Sequence, residues 1–437
     1  MFFLNGIRVP HRKHTEKCTA VAMPAPKSVT IPMAMHIGAP AIPTVKAGDA
    51  VKVGTLIAEA AEGISSPVYS SVSGKVKNIG EILLFNGKYC PAITVENDGL
   101  MEKDESIAPP VIDGRESFIE AVKKSGIVGL GGAGFPTYKK LDVPEGKISE
   151  LIINGAECEP YITSDTRTML DRAEDMKVGI EAIKKYLGTK TVIIGIESNK
   201  KDAIASMNAM AAKIEGASVK VLPSVYPQGG EKVLVYHSTG KVIEVGKLPA
   251  DVGCAVLNCT TVAAIGAYLK TGMPLVEKCV TVDGGAVSEP KNVLVPIGTS
   301  ISDLIEFCGG FKEEPAKITY GGPMMGVTVS DAAYPVIKNT NAILALTKKE
   351  ARLPKTTNCI RCGACTNTCP FGIAPAGIEK AYRKRDAASI EALNVNACME
   401  CGCCSFVCPA NRPLVQSNKL AKQFLRETKE KEKAKNG

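Results

Sequence analysis

The stretches CIRCGACTNTCPFG (Cys359–Gly372) and CMECGCCSFVCPAN (Cys398–Asn411) are two copies of one cysteine pattern. Both read C-x2-C-x2-C-x3-C-P, and the extra Cys403 falls outside the register. This spacing is typical of proteins that bind two [4Fe–4S] clusters, in which the fourth thiolate of each run ligates the other cluster. The pattern therefore predicts one cluster on Cys359, Cys362, Cys365 and Cys408, and a second on Cys398, Cys401, Cys404 and Cys369.

Two other uses of these cysteines are less consistent with the spacing. Zinc sites take ligands in two pairs rather than in runs of four. Disulfide frameworks are typical of short secreted chains, and the opening of this sequence has no secretory apolar region. Gly363 and Gly402 would let the loop backbone approach the inorganic sulfurs. We therefore expect a ferredoxin-like unit with two [4Fe–4S] clusters over residues 350–415.

Bulk properties limit the class of protein. The chain has 437 residues, 45% of them hydrophobic, which predicts about three domains with substantial cores. We find no apolar run of about 18 residues and expect no membrane-spanning helix. Sixteen cysteines favour a reducing, cytoplasmic compartment. The formal charge of +8 falls to about +4 once two clusters of about −2 each are bound, so we expect no nucleic-acid partner.

The first hundred residues predict a small β-structure after an N-terminal segment, residues 1–26. Residues 27–100 are rich in Val, Gly, Ala and Pro, with short β runs that glycine and proline interrupt. VKAGDAVKVGTLIAEA followed by SSVSGKV resembles a biotinyl/lipoyl-like barrel-sandwich hybrid. Its joining segment, EGISSPVY, lacks the lysine on which carriers hold their swinging cofactor. We therefore interpret it as a structural or docking domain.

Strands and helices alternate over residues 110–275, which predicts a parallel α/β sheet. The predicted strands are ELIING, KTVIIGIESN and SVKVLPS, and the predicted helices are SFIEAVKKSG, DMKVGIEAIKKYLG and KKDAIASMNAMAAKIEG. Residues 276–347 give two strands and then a helix from Ile301, a pattern that resembles the SLBB-type β-grasp domain. The basic tail, residues 416–437, is consistent with a solvated helix, or with a tether to an anionic membrane surface or a membrane-embedded partner.

A glycine-rich loop, GLGGAGFPTYKK (Gly129–Lys140), is the first candidate binding site outside the cysteines. It contains G-x-G-x-x-G at Gly129, Gly131 and Gly134, but a predicted helix precedes it where the dinucleotide fingerprint requires a strand. Bare backbone could still hold a flat ring or a phosphate. The alternative is a plain turn between helix and strand.

NGAECEP (Asn154–Pro160) directly follows a predicted strand, and ligands of open α/β sheets bind at strand ends. Asn154 can both donate and accept hydrogen bonds. Buried carboxylates need partners, and ribose hydroxyls or an amide would serve Glu157 and Glu159. The alternative is a capped, solvated turn.

GLGGAGFPTYKK, INGAECEP, YPQGGEKVL and the paired cysteine runs together resemble the C subunits of Rnf complexes over essentially the whole chain. The flavin-bearing, NADH-oxidising subunit of respiratory complex I is similar at a greater distance. The resemblance implies FMN, NADH/NAD+ and two [4Fe–4S] clusters as cofactors. It also implies membrane and cytoplasmic partner subunits, indirect exchange with ferredoxin, a peripheral place at the cytoplasmic face of the membrane, and coupling to Na+ or H+ transport.

The same resemblance implies residue roles. The FMN set is Gly129, Gly131, Gly132, Gly134, Lys140, Asn154, Glu157, Tyr226, Gly229, Gly230, Glu231 and Asn258. The NADH set is Phe135 and Glu159. No catalytic acid or base is implied. The chain departs from the complex I subunit in three places. That subunit has an arginine within its glycine loop, whereas this chain has Leu130 near the corresponding position. Gly230–Glu231 replaces paired glutamates, and Asn258–Cys259 replaces two asparagines.

The expected function is therefore electron input from NADH through FMN to two clusters, or the reverse. A hydride carries two electrons and a cluster takes one, so a flavin is needed between them. Three alternatives stay open: a soluble NADH dehydrogenase or hydrogenase module, an electron-transfer adaptor without a working flavin site, and a ligand-binding β-grasp protein that is not an enzyme.

Overall fold

The structure is a computed structural model that describes residues 4–84 and 87–436, with side chains to residue 434. The strands are β1 Ala20–Ala22, β2 Ser28–Pro32, β3 Ile42–Pro43, β4 Ala50–Val51, β5 Leu56–Glu59, β6 Val68–Tyr69, β7 Gly74–Leu83, β8 Tyr89–Asn97, β9 Glu150–Gly155, β10 Thr191–Glu197, β11 Ala217–Leu222, β12 Cys254–Asn258, β13 Glu277–Asp283, β14 Lys291–Pro296, β15 Lys317–Tyr320, β16 Val327–Val329 and β17 Ala342–Leu346. The α-helices are α1 Arg115–Lys124, α2 Thr137–Leu141, α3 Ser164–Asp171, α4 Ala173–Leu187, α5 Lys201–Ala211, α6 Glu231–Thr239, α7 Cys259–Thr271, α8 Ile301–Phe307, α9 Ala364–Asn367, α10 Pro375–Arg383, α11 Ala387–Ala392, α12 Cys403–Phe406 and α13 Leu414–Asn436.

Strands β2 to β8 form the expected barrel-sandwich. One sheet has the order β2-β8-β7-β4 and the other β3-β5-β6, with every pair antiparallel. Val29 pairs with Val95 and Ile31 with Ile93, and all four side chains are buried. Alternation along these strands therefore directs one face of the sheet to the core.

The central unit is the predicted parallel α/β sheet, with the strand order β11-β10-β9-β12. Helices α4 and α7 approach so closely that a Cβ on Gly179 or Gly266 would overlap the backbone of the other helix. α4 ends at Gly188, which has a left-handed backbone, as the sequence predicted. The buried core of this unit is continuous with that of the barrel-sandwich.

The β-grasp unit, residues 276–347, has a sheet of six strands in the order β1-β14-β13-β17-β15-β16. The first of these strands comes from the N-terminal segment and pairs parallel with β14. Helix α8 follows β14, and its Ile301, Leu304 and Ile305 are buried. The predicted order of two strands and a helix is confirmed.

The cluster unit is helical and includes more of the C-terminus than the sequence predicted. Ile378, Ile390, Ala421 and Leu425 form one buried cluster, and the last two belong to α13. The predicted boundary between residues 415 and 416 therefore lies inside a helix whose first half is part of the core. Within the described ranges, no helix combines the length and apolarity that crossing a bilayer requires.

Candidate functional site

The glycine-rich loop lies between α1 and α2, beside the carboxyl ends of the parallel strands. Its base is closed by a hydrogen bond from the Gly129 amide to the Phe135 carbonyl (2.8 Å). The Leu130 amide donates to the Thr261 hydroxyl on α7 (2.9 Å). Within residues 4–84 and 87–436, no acceptor takes the amide hydrogens of Gly131, Gly132 or Gly134. The loop therefore presents unpaired N–H groups, which suit a phosphate or another anion.

The two middle glycines differ in their surroundings. A Cβ on Gly131 would overlap the side-chain amide of Asn258, whereas a Cβ on Gly132 would meet nothing within 4 Å. Asn258 caps α7, because its Oδ1 accepts from the amides of Thr260 (3.0 Å) and Thr261 (3.2 Å). The loop is thus packed against the start of α7 at Gly131 and open at Gly132.

Two further pairs of predicted site residues meet at this sheet edge. Lys140 Nζ donates to Glu231 Oε1 (2.7 Å) and to the Val256 carbonyl (3.3 Å). Asn154 Nδ2 donates to the Gly229 carbonyl (2.9 Å). The structure therefore brings the glycine loop, the end of β9, the YPQGGEK segment and the end of β12 to one place.

Glu157 finds its partners within the protein. Its carboxylate accepts from the Asp165 amide (2.8 Å) and the Thr166 hydroxyl (2.7 Å). The ammoniums of Lys200 and Lys13 lie 3.5 and 3.9 Å away, and all three side chains are buried. The solvated-turn alternative is therefore wrong, and this carboxylate does not depend on a ligand for its hydrogen bonds.

Glu159 is directed towards the β-grasp unit. Its two carboxylate oxygens accept from the amides of Met324 (3.1 Å) and Met325 (2.8 Å). Burial raises the pKa of Glu159 to about 7, against the opposing effect of these two amides. Phe135, the other residue of the predicted NADH set, is half-buried at the end of the glycine loop.

Lys13 is a site residue that the sequence did not indicate. Its ammonium donates to the carbonyls of Glu157 and Glu159 (3.0 Å each) and of Ile162. Desolvation lowers the pKa of Lys13, and the nearby Glu157 opposes that effect. No pattern in the N-terminal segment distinguishes this lysine from its exposed neighbours, so only the fold identifies it.

The cysteines gather around two cavities. One is lined by Cys359, Cys362, Cys365 and Cys408, and the other by Cys369, Cys398, Cys401 and Cys404, with Cys403 also at its wall. Each cavity thus combines three cysteines of one run with the last cysteine of the other, which is the arrangement that the spacing predicts for two cubanes. Gly363 and Gly402 precede short helices at these cavities with φ of 77° and 83°, a conformation that favours glycine.

The two cavities differ in exposure. Cys359 and Cys362 are exposed, so we name the first the outer cavity. Cys369, Cys401 and Cys404 are buried, so we name the second the inner cavity. In the parts of the chain described, no three His, Cys, Asp or Glu side chains converge tightly enough for a single metal ion.

The inner cavity adjoins the α/β unit. The Tyr226 hydroxyl donates to the Cys401 carbonyl (2.6 Å), and Cys403 Sγ lies 3.8 Å from the Tyr226 carbonyl oxygen. A Cβ on Gly230 would overlap the end of the Met399 side chain. The YPQGGEK segment therefore contacts the inner cavity at Tyr226 and Gly230, and the glycine-loop side of the site at Gly229 and Glu231.

Four family models match successive parts of the chain. They are the RnfC barrel sandwich hybrid domain (residues 1–100), the Nuo51 FMN-binding domain (122–267), the SLBB domain (279–328) and the 4Fe-4S dicluster domain (353–409). The predicted fold class, four kinds of unit in this order, is confirmed.

Curated relatives match almost from end to end. The chain is 43% identical to the C subunit of the proton-translocating ferredoxin:NAD(+) oxidoreductase complex of Clostridium ljungdahlii, over 97% of this chain and 94% of that one. It is 40% identical to the C subunit of the Na(+)-translocating ferredoxin:NAD(+) oxidoreductase complex of Acetobacterium woodii, over 97% of both chains. It is also 40% identical to the C subunit of the ion-translocating oxidoreductase complex of Rhodobacter capsulatus, over 97% of this chain and 83% of that one.

A solved structure shares the fold at low identity. An NAD+-reducing [NiFe]-hydrogenase, in its air-oxidised state, aligns over 71% of this chain and 61% of its own with a TM-score of 0.51 and 16% identity.

Proposed function

This chain belongs to the family of C subunits of ion-translocating ferredoxin:NAD(+) oxidoreductase complexes, and we propose that it is the electron-input subunit of such a complex. It binds FMN at the glycine loop, exchanges electrons with NADH there, and relays them through two [4Fe–4S] clusters. Bound FMN would supply the conversion between a two-electron hydride and single electrons. The chain's own residues position the reactants and exclude water.

The glycine loop fits an anionic, planar group. Its free amides suit a phosphate, and open space at Gly132 lets a ring lie against bare backbone. Lys140 supplies a cation at the same edge of the sheet, where it is now paired with Glu231 (2.7 Å). These features support FMN at this site, with Asn154 and Asn258 holding the flanking backbone.

The observation that carries the proposal is the hydrogen bond from the Tyr226 hydroxyl to the Cys401 carbonyl. It joins the segment beside the glycine loop to the backbone of a predicted ligand of the inner cluster. Electrons would therefore pass first to the cluster of the inner cavity and then to that of the outer cavity. The exposure of Cys359 and Cys362 favours the outer cluster as the exit towards a partner.

NADH would meet the flavin from the side of Phe135 and Glu159. An exposed or half-buried aromatic ring suits stacking, and a carboxylate suits ribose hydroxyls. Because Glu159 now accepts from the Met324 and Met325 amides, ribose binding would require exchange of those hydrogen bonds.

The partners are the remaining subunits of the complex, and this chain lies at the cytoplasmic face of the membrane as a peripheral component. Ferredoxin exchanges electrons with the complex indirectly, through another of its subunits. The relatives' names specify protons in one case and Na+ in the other, so the coupling ion is Na+ or H+.

Anaerobic titration of the purified protein with NADH tests the proposal. We expect about one FMN and eight iron atoms per chain. NADH should bleach flavin absorbance at about 450 nm and then produce the EPR signal of reduced clusters. A full iron content without flavin would instead indicate an electron-transfer adaptor.

A further inference from the structure

The carbonyl groups of the glycine loop are held from outside the α/β unit. Lys278 Nζ donates to the Leu130 carbonyl (2.6 Å), Lys338 Nζ to the Gly126 carbonyl (2.8 Å) and Asn339 Nδ2 to the Gly132 carbonyl (2.8 Å). All three donors belong to the β-grasp unit, more than 140 residues away along the chain. A single domain therefore holds the chain at Gly126, just before the loop, and the loop itself at Leu130 and Gly132.

The barrel-sandwich supports the same loop from another side. The Ile37 amide donates to the Gly134 carbonyl (3.1 Å). Lys338 also donates to the Ser66 hydroxyl (3.1 Å) and the Pro67 carbonyl (2.6 Å), both in the joining segment where carrier domains display their lysine. The ammonium of Lys338 thus links all three units at the base of the loop.

The two lysines are buried without an ion pair. Lys278 and Lys338 are 3% and 0% exposed, and no carboxylate in the described ranges lies within 4.0 Å of either ammonium. Burial lowers the pKa of Lys278 to about 8 and of Lys338 to about 7; Asp165 is the acid that faces Lys278 and opposes the effect. A buried cation without a counter-ion is costly, and a nearby anion would reduce that cost.

The hydrogen bonds divide the loop into two sides. The carbonyls of Leu130, Gly132 and Gly134 are bonded to donors of the two flanking units, while the amides of Gly131, Gly132 and Gly134 donate to nothing in the described structure. A loop with this division is preorganised for an acceptor, because its free donors need not exchange partners when the ligand arrives.

We propose that Lys278, Lys338 and Asn339 of the β-grasp unit are positioning residues that fix the glycine loop in its ligand-binding form. The inference rests on the proposed function, since it takes FMN as the loop's ligand. It assigns the β-grasp unit a part in cofactor retention, exerted through hydrogen bonds to the loop backbone.

The cleanest test is at Asn339, which is half-buried and whose side chain is small. Asn339→Ala removes one donor, and Asn339→Asp keeps the shape but sets a carboxylate against the Gly132 carbonyl. We expect FMN to bind about five- to tenfold more weakly to Asn339→Ala, the loss of one hydrogen bond, and more weakly again to Asn339→Asp. Fluorescence titration of flavin-depleted protein with FMN measures both.

Hydrogen exchange separates positioning from packing. In flavin-depleted Asn339→Ala, the hydrogen-bonded amides of Gly129 and Leu130 in the loop segment should exchange faster while those of β15 and β17 do not change. Lys338→Met, which removes the ammonium at similar length, should accelerate the same segment, and Lys312→Met, on an exposed lysine of the same unit, should leave it unchanged. If Lys338→Met does not fold, the two variants Asn339→Ala and Asn339→Asp still test whether the β-grasp unit positions the loop.

The outcomes distinguish the two proposals. If the wild type binds FMN and both Asn339 variants bind it equally tightly with an unchanged loop, the positioning role is wrong. If the wild type binds no FMN, the proposed function is wrong, and the exchange comparison still decides whether Asn339 holds the loop.

Discussion

Gly132 is the position at which a side chain would test the flavin site without disturbing the fold. A Cβ there meets nothing within 4 Å, so a larger residue would occupy the space proposed for the ligand. We expect Gly132→Leu to lower bound FMN at least about tenfold, because ring and side chain cannot share that space. Flavin released on denaturation, measured per chain, gives the result.

Gly80 provides a matched control for that substitution. It lies in β7, far along the chain from the loop, and a Cβ there also meets nothing within 4 Å. Gly80→Leu should retain wild-type flavin and iron. Full flavin in Gly132→Leu would show that the loop is not the flavin site.

Glu159 should make stability depend on pH in a definite direction. Its pKa is raised from 4.5 to about 7 by burial, so the folded state binds the proton more tightly than the unfolded state. Its contribution is complete below pH 4.5 and is lost as pH rises through about 7, by up to about 3 kcal/mol. Glu159→Gln, which has no proton to lose, should not show this change.

The measurement is the difference in denaturant midpoint between the wild type and Glu159→Gln from pH 4 to 8. We expect the wild type to lose stability relative to the variant between about pH 4.5 and 7, and to change little above that. Parallel curves across the whole range would show that this carboxyl does not titrate in that window.

At the residue scale, the sequence could indicate which local segments meet at the candidate site but not which distant groups contact them. GLGGAGFPTYKK and NGAECEP are contiguous, so spacing alone draws attention to them. The partners of Glu157 include Lys13 and Lys200, and those of the loop carbonyls include Lys278 and Asn339. Such contacts depend on how domains pack, for which a single sequence carries no local pattern.

At the scale of elements, the alternation of apolar and helical runs predicted three of the four strands of the central sheet, β9, β10 and β11, but not β12. ELIING and KTVIIGIESN contain the uninterrupted apolar runs LII and VIIGI, which are typical of strands covered on both faces, and they form β9 and β10. The packing of the C-terminal helix could not be predicted, because its composition is dominated by charge. Its apolar positions are few, and they pack only because α10 and α11 lie beside it.

Helix α13 should be required for the inner cluster. Asn418 Nδ2 donates to Cys398 Sγ (3.5 Å), Lys422 Nζ to the Cys398 carbonyl, and Leu425 is buried one turn further on. Leu425→Asp would bury an unpaired carboxylate and separate the helix from α10. We expect it to lose at least half of the bound iron, measured per chain.

The adjacent residue supplies the control. Arg426 is exposed, so Arg426→Asp introduces the same carboxylate into water. It should keep its iron and both cluster EPR signals. If both variants lost iron equally, the loss in Leu425→Asp would result from the added negative charge and not from disrupted packing of α13 against α10.

At the scale of the molecule, the N-terminal segment links the units. Ile7 pairs with Tyr226 beside the inner cavity, Thr15 lies 2.5 Å from Thr163 between hydroxyl oxygens, and Ala20–Ala22 joins the β-grasp sheet. The sequence set residues 1–26 apart as an N-terminal segment and indicated none of these contacts. Its structure comes from contacts with other units, which supply the partners that its own sequence lacks.

Lys13 should therefore control how firmly the N-terminal segment, whose β1 lies in the β-grasp sheet, is joined to the α/β unit, where all the partners of Lys13 lie. Lys13→Met would leave three backbone carbonyls without their donor and Glu157 with one fewer cation, at a cost of about 3–5 kcal/mol. We expect faster hydrogen exchange in residues 157–166 and in β13, whose Thr281 hydroxyl accepts from the Thr163 amide.

A second lysine of the N-terminal segment distinguishes this junction from a general loss of charge. Lys17→Met, on an exposed lysine, should not change exchange. Because the cluster core lies elsewhere, around Ile378 and Leu425, iron content should be preserved in both variants, so that accelerated exchange with full iron would locate the effect at the junction. Unchanged exchange in Lys13→Met would mean that the segment lies on the surface without holding the units together.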